Sequence, residues 1–381
     1  MNLKKKFISL GMAVALLLGV TGCNMAAPAT VGDIGGVEIP AGVYLLAQYN
    51  AYSTVSGYAD LATGETASDV KAVLKASCTG KVGDEDVTTD GADFVSRLTT
   101  RSIQYYAAVE SKFAQLGATL EDAATAEAAQ SAASLWETNG DIYTSNGINQ
   151  KTVETYLLNA QKAQACLNLM YGADGETPVT EQEYTDYIKD DCYYIESIQF
   201  PLMDYSTYAF ADDAQKATIQ ATAEDAVKML SESTTPDTTA EERFTALYTA
   251  ASLYLPAAFE TLGSTFDSSQ MQYYLGSQLY TPSDLTSFQS GGSNTLTDAL
   301  HAVGMGNWTT VDLGTGILVA RMVDPLAGST VEDLVANNDL LTAMKSDEVQ
   351  AQFYTDGAAM EQNLNTSAMN TYKSSKIKRE A

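Results

Sequence analysis

One histidine, His301, is all that this chain of 381 residues contains. That scarcity excludes a metal site built on several histidines. It also leaves no second imidazole to activate a serine or cysteine nucleophile. Cysteine is almost as rare. Beyond Cys23 there are Cys78, Cys166 and Cys192, with no CxxC pair and no metal-ligand spacing. One disulfide plus a free thiol fits this set, and so do three buried thiols. No GxGxxG or GxxxxGK(S/T) phosphate loop occurs, so neither a metal nor a cofactor is expected. Positive charge is the third shortage: 21 Lys and Arg face 48 Asp and Glu, for a formal net charge of −27. Such a surface repels nucleic-acid phosphates and anionic lipid head groups, and both are disfavoured as partners. With 45% hydrophobic residues the chain is not a disordered polyelectrolyte. Its length suits two core-bearing domains.

What is present begins at the N-terminus. Lys4, Lys5 and Lys6 precede an uncharged run from Phe7 to Val20 that is too short to span a bilayer comfortably. The run ends in Val20-Thr21-Gly22-Cys23, which resembles the lipobox of bacterial lipoproteins. The resemblance implies cleavage before Cys23 and a diacylglycerol on its thiol. The expected address is therefore the extracytoplasmic face of the cell membrane, held by lipid. Removing residues 1–22 takes away three lysines and no acid. That leaves 18 basic against 48 acidic side chains, a formal charge of −30.

Farther along, two short apolar runs flank Gly35-Gly36 and predict a hairpin over 31–40, with Pro40 at the first position of a helix. Residues 57–91 read as loop-rich with one short helix. Phe94, Leu98, Tyr105, Val109, Phe113 and Leu116 form one apolar stripe and predict a helix over 92–116. A second helix follows from Thr119 to about Asn139, and a third from Gln150 to Tyr171. Thr180 with Glu183 forms a capping-box pattern ahead of a fourth. Then the period changes to two: Tyr194–Phe200 predicts a strand, residues 212–231 a helix, 231–241 a polar turn, and Phe244–Leu247 another helix. Residues 255–295 read as irregular, Gly314–Asp324 as a strand, and the last 50 residues as mostly helical with a basic end at Lys373, Lys376, Lys378 and Arg379.

This order, with several local motifs, resembles the extracytoplasmic foldases of the PrsA and SurA type. Val31–Val43 is similar to that family's opening hairpin and first helix. Val179-Thr180-Glu181-Gln182-Glu183-Tyr184 is similar to the helix that precedes its parvulin domain. Ala299-Leu300-His301-Ala302, Gly306 and Gly316–Asp324 are similar to the closing half of a parvulin. The resemblance implies an α+β fold: a mainly helical SurA-like chaperone domain, from the N-terminal part plus a C-terminal helix, with an inserted parvulin-like α+β domain. The implied organisation is a signal peptide over 1–22, a tether over 23–30, the helical domain over 31–178 and the parvulin-like domain over 179–325. A C-terminal helix over 326–372 would pack on the helical domain, and a basic tail covers 373–381.

By resemblance the activity would be prolyl cis–trans isomerisation, but the residues that carry it in the family are replaced. Ser197 and Leu318 fall where the family has its two strand histidines. Gly292 and Leu296 fall where a methionine and a phenylalanine cradle the proline ring. Ser252–Tyr254 covers the place of the family's acid or cysteine, and His301 that of a core phenylalanine, so His301 reads as a structural or surface residue. An isomerase lowers a barrier of about 18–20 kcal/mol by holding the twisted amide in a shaped slot. These replacements predict the loss of that slot and its hydrogen bonds. The resulting expectation is a membrane-anchored chaperone or foldase that binds unfolded or nascent secreted polypeptides. The 22 tyrosines and 12 methionines supply adaptable apolar contact for such clients. A solute-binding lipoprotein and a surface interaction protein without chaperone activity are the alternatives. The former class alternates strands with helices, unlike residues 92–171.

Overall fold

A computed structural model describes residues 28–235, 238–290, 293–327 and 329–379; Cys23, the segment 1–22 and Gly292 lie outside them. The fold is α+β, mainly helical with small antiparallel sheets. It divides into two compact units. One holds the described residues up to Ala107, Ala126–Leu158 and those from Gly357 onward; the other holds Ala108–Thr125 and Asn159–Asp356.

In the first unit, β1 (Thr30–Ile34) and β2 (Val37–Pro40) form the expected hairpin. Gly35 and Gly36 both have positive φ, the backbone that a two-residue hairpin turn requires. Pro40 does not start the helix. It closes β2 and caps α1 (Ala41–Ser56), because the first free amide, Ala41 N, donates back to Ala29 O. Residues 57–91 hold the expected short helix, α2 (Val70–Lys75), capped by Asp69. They also hold an unexpected hairpin of β3 (Ser77–Val82) and β4 (Glu85–Asp90). Its strands are polar, and Cys78 and Val87 are its buried hydrophobic side chains, too sparse a pattern to read as strands.

Three long helices follow: α3 (Gly91–Gln115), α4 (Asp122–Ser145) and α5 (Gln150–Tyr171). The second runs beyond the expected end near Asn139. Gly140 does not stop it, because the Trp136 ring packs against the glycine. Farther on come α6 (Glu181–Asp190), β5 (Tyr193–Pro201), β6 (Met203–Asp204), β7 (Ala209–Phe210), α7 (Asp213–Ser233) and α8 (Ala240–Thr261). The Thr180–Glu183 capping box is formed in full. Residues 255–295, expected to be irregular, complete α8 through Pro256 and add β8 (Leu275–Tyr280), β9 (Gln289–Ser290) and β10 (Ser293–Asn294). Pro256 forfeits one helical hydrogen bond, and buried Leu255 and Ala258 hold that turn to the core.

The chain ends with α9 (Thr295–Val303), β11 (Thr309–Asp312), β12 (Gly316–Val323), α10 (Val331–Asn337), α11 (Leu340–Ala359), β13 (Gln362–Leu364) and α12 (Thr366–Thr371). The stretch read as one terminal helix is thus three helices interrupted by a strand. β13 pairs with β1 and makes a three-stranded sheet, β13-β1-β2. Gly32 is the hinge of that pairing. Its φ is +110°, and a Cβ there would sit 2.3 Å from the Asn363 carbonyl oxygen. Gly32→Ala is expected to cost on the order of 1–3 kcal/mol from backbone strain alone, seen as a lower urea midpoint. An unchanged midpoint would contradict the close approach.

In the second unit the strands run in the order β11-β12-β5-β8, all antiparallel. Helices α7 and α8 cover one face through Ile198, Phe200, Ile317 and Val319. Helix α9 covers the other through Leu296 and Leu300, against Ile195, Leu318 and Ala320.

Candidate functional site

Strand alternation decides where the sequence-derived site residues point. On β5, Tyr193 and Ile195 belong to the cluster on the α9 face, while Ile198 and Phe200 face α7 and α8. Ser197 therefore aligns with the α9 side. Its register partner on β12 is Ala320, and Leu318 lies opposite Gln199. Leu296, in the first turn of α9, joins Leu318 in the same cluster. Three of the four mapped positions are thus brought to one face, but Ser197 is 5% exposed, Leu296 0% and Leu318 9%. Strand β8 closes over Ser197 so tightly that a Cβ on Gly276 would lie 2.5 Å from Ser197 Oγ. All three side chains are buried, and Leu296 and Leu318 pack in one apolar cluster. Ser252–Tyr254 lies elsewhere: Tyr254 packs on the α7–α8 side, and Leu253 is exposed. His301 is exposed on α9, its ring 5.5 Å from that of Tyr193.

The opposite face of the sheet holds a charge cluster that sequence reasoning missed. Glu196 accepts from Arg243 Nε at 2.7 Å through Oε1 and from Arg321 Nε at 2.7 Å through Oε2. Arg321 Nη2 also lies 2.7 Å from Oε2, as an ion pair without hydrogen-bond geometry. Arg321 Nη1 and Trp308 Nε1 both donate to Thr234 Oγ1, at 3.1 and 3.0 Å, and the guanidinium stacks 4.7 Å from the centre of the Trp308 ring. Arg243 reaches the carbonyl oxygens of Thr238 and Ala327. Burial lowers the Arg321 pKa, against the opposing attraction of Glu196. All three charged groups are buried, so they meet no substrate. Their work is to pin the segments around Thr238 and Ala327 to the sheet.

Several large hydrophobic side chains of this unit are exposed elsewhere, among them those of one short hairpin. After buried Leu202 the chain turns through the short hairpin of β6 and β7, where Met203 pairs with Phe210. Asp204 organises the turn by accepting from Ser206 N, Ser206 Oγ and Thr207 Oγ1. Those bonds, the Thr207 one first, hold its carboxyl below the usual range. Tyr208 takes a φ of +57°, costly for a side chain of its size. Tyr208 is 76% exposed, Phe210 61% and, in the 3-10 turn Ser268–Tyr273, Tyr273 is 73% exposed. In the same unit Phe259, Phe266 and Tyr274 interlock with ring centres 5.3–5.8 Å apart. Burial raises the Tyr274 pKa, with Tyr205 adding to the rise.

Other chemistry is absent from the described residues. No group of three or more His, Cys, Asp or Glu side chains could hold a metal ion, and no helix is long and apolar enough to cross a membrane. Cys78, Cys166 and Cys192 are free and buried, the second of the two sequence readings. Burial pushes the Cys166 thiol up to about 11 and the Cys192 thiol to about 12, from 9.0. Each unit of rise removes about tenfold of thiolate. Alkylation at pH 8 is therefore expected to be at least about a hundredfold slower in the native chain than in denaturant. Rapid native labelling would contradict the burial. Because the folded pKa values are raised, this stabilisation is complete below pH 9 and fades as pH climbs toward 11 and 12.

No family model and no curated protein matches the chain. Among solved structures, it is similar to the foldase protein PrsA from Streptococcus pneumoniae str. Canada MDR_19A at 9% identity and a TM-score of 0.29. That match covers 78% of this chain and 92% of that one. It is also similar to the peptidylprolyl isomerase PrsA from Bacillus anthracis at 11% identity and a TM-score of 0.21, over 73% and 98%.

Proposed function

We propose that this chain is a membrane-tethered extracytoplasmic folding factor. It binds unfolded secreted polypeptides, and its parvulin-like unit serves as a scaffold without catalysis. The observation that carries the binding role is the exposure of large aromatic side chains, Tyr205, Tyr208 and Phe210 on one short hairpin and Tyr273 in the 3-10 turn. Tyrosine and phenylalanine contact varied apolar segments without demanding one shape, which suits clients of many sequences. The lack of catalysis follows from the burial of Ser197, Leu296 and Leu318 in one apolar layer, where no substrate amide reaches them. The solute-binding alternative is not favoured, since α3, α4 and α5 follow one another without an intervening strand.

The tether is the lipid on Cys23. Holding the binding surface at the membrane raises its effective concentration for chains emerging there. Cys23→Ala is expected to release the protein from the membrane fraction, or to block its maturation, with no change in thermal unfolding. Persistence of the variant in that fraction after a salt wash would refute the anchor. For the scaffold claim, a protease-coupled prolyl-peptide assay is expected to give the uncatalysed rate. A faster rate that survives Ser197→Ala with Leu318→Ala would place a catalytic site elsewhere on the molecule.

A further inference from the structure

Among the described residues, the strongest concentration of positive charge is the segment Tyr372–Arg379. It holds Lys373, Lys376, Lys378 and Arg379 and no acid. It is not a loose tail. Arg379 stacks over the rings of Tyr49 and Tyr52 on α1, 5.3 and 5.6 Å from their centres, and donates to Ser53 Oγ. The Asn146 side chain exchanges two hydrogen bonds with the Lys378 backbone, at 2.9 and 2.8 Å. Ile377 packs into the core beside α2. So pinned, the segment leaves the side chains of Lys373, Lys376 and Lys378 exposed. They line a hollow of about 240 Å³ with Gln48, Tyr49 and Asn146. The neighbouring helix α2 adds exposed Lys71 and Lys75, and its acid, Asp69, is occupied in capping the Lys71 and Ala72 amides.

The position of this surface carries the argument. Tyr372 OH donates to Pro28 O at 2.7 Å, so the basic segment begins where the described chain begins. Pro28 stands five positions after Cys23, a span of at most about 18 Å when fully extended. We propose that Lys373, Lys376 and Lys378 form a docking surface for the anionic head groups of a membrane. In this role they act with the lipid on Cys23 to hold the first unit in one orientation; the orientation, though not the surface, rests on the anchor proposed above. Two acyl chains already give a stable anchor, so the basic surface adds orientation rather than retention. The net negative charge does not cancel the attraction, because screening at physiological salt confines each charge to about 8 Å. Distant acids instead repel the membrane from other faces.

The test is flotation of the full chain on vesicles of pure phosphatidylcholine and of phosphatidylcholine with 30% phosphatidylglycerol (roughly the charge density of an anionic leaflet). The wild type is expected to partition at least about tenfold more strongly onto the anionic vesicles, given the worth of three lysines near such a surface. That increment is expected to vanish in 0.5 M salt (Debye length about 4 Å) and in K373Q/K376Q/K378Q. Cys23→Ala is expected to lose the binding to pure phosphatidylcholine while keeping the increment, which separates failure of the anchor from failure of the patch. Equal partitioning of the wild type on the two vesicles would overturn the proposal. So would an increment that survives in the triple variant.

Discussion

Replacing Glu196 with alanine is expected to lower the unfolding free energy of the protein by roughly 3–5 kcal/mol. The carboxylate is shared by two guanidiniums, at 2.7 Å each, in a site closed to water. Removing it leaves two like charges facing one another with only Thr234, carbonyl oxygens and the Trp308 ring for compensation. The desolvation cost stays while the attraction that offset it is gone. The melting temperature is expected to fall on the order of 10 °C. A triple change of Glu196→Leu, Arg243→Met and Arg321→Met should recover much of the loss, since apolar replacements of similar volume remove the buried charges altogether. Urea denaturation of both variants checks the claim. A single variant within about 0.5 kcal/mol of the wild type would mean that the cluster is hydrated and open.

The second large effect is on binding and leaves stability almost untouched. Tyr208→Ser, Phe210→Ser and Tyr273→Ser together are expected to weaken binding of a labelled unfolded polypeptide at least about tenfold, because exposed aromatic anchors dominate such contacts. Their exposure predicts little change in unfolding, within about 0.5 kcal/mol for each surface site. Tyr208 offers a sharper separation. Its φ of +57° suits glycine, so Tyr208→Gly removes the ring while relieving the backbone. The expected outcome is weaker client binding with equal or higher stability. Fluorescence anisotropy and thermal denaturation on the same preparation check both. Unchanged affinity would move the binding surface away from this hairpin.

How much of this could be read from the residues depends on how local each cause is. The bounds of α5 and the Thr180–Glu183 cap were legible, because helix periodicity and capping act within four residues. The Gly35-Gly36 turn was legible for the same reason. Strand β13 was not. Gln362-Asn363-Leu364 has no alternation of its own and is a strand because β1 lies beside it. The β3–β4 hairpin carried a turn signal in Gly83-Asp84, but its strands were too polar to be recognised. Ser197, Leu296 and Leu318 were singled out by the resemblance alone; that they share a face and are buried depends on how β5, β12, β8 and α9 assemble, which no local pattern encodes. Glu196 and Arg321 are 125 residues apart, so nothing near either residue revealed the partner. A lone acid and a lone arginine inside apolar strand runs were the available clue. Tyr208 and Tyr273 were two among 22 tyrosines, and the positive φ of Tyr208 is a backbone angle that composition does not encode.

Light scattering from an unfolded, reduced secretory protein, mixed with increasing amounts of this chain, tests the central claim most directly. The account predicts that aggregation is suppressed in proportion to the amount added, and that the aromatic-patch variant suppresses much less at the same concentration. No suppression at stoichiometric excess of the wild-type chain would contradict it and leave a surface interaction protein in its place.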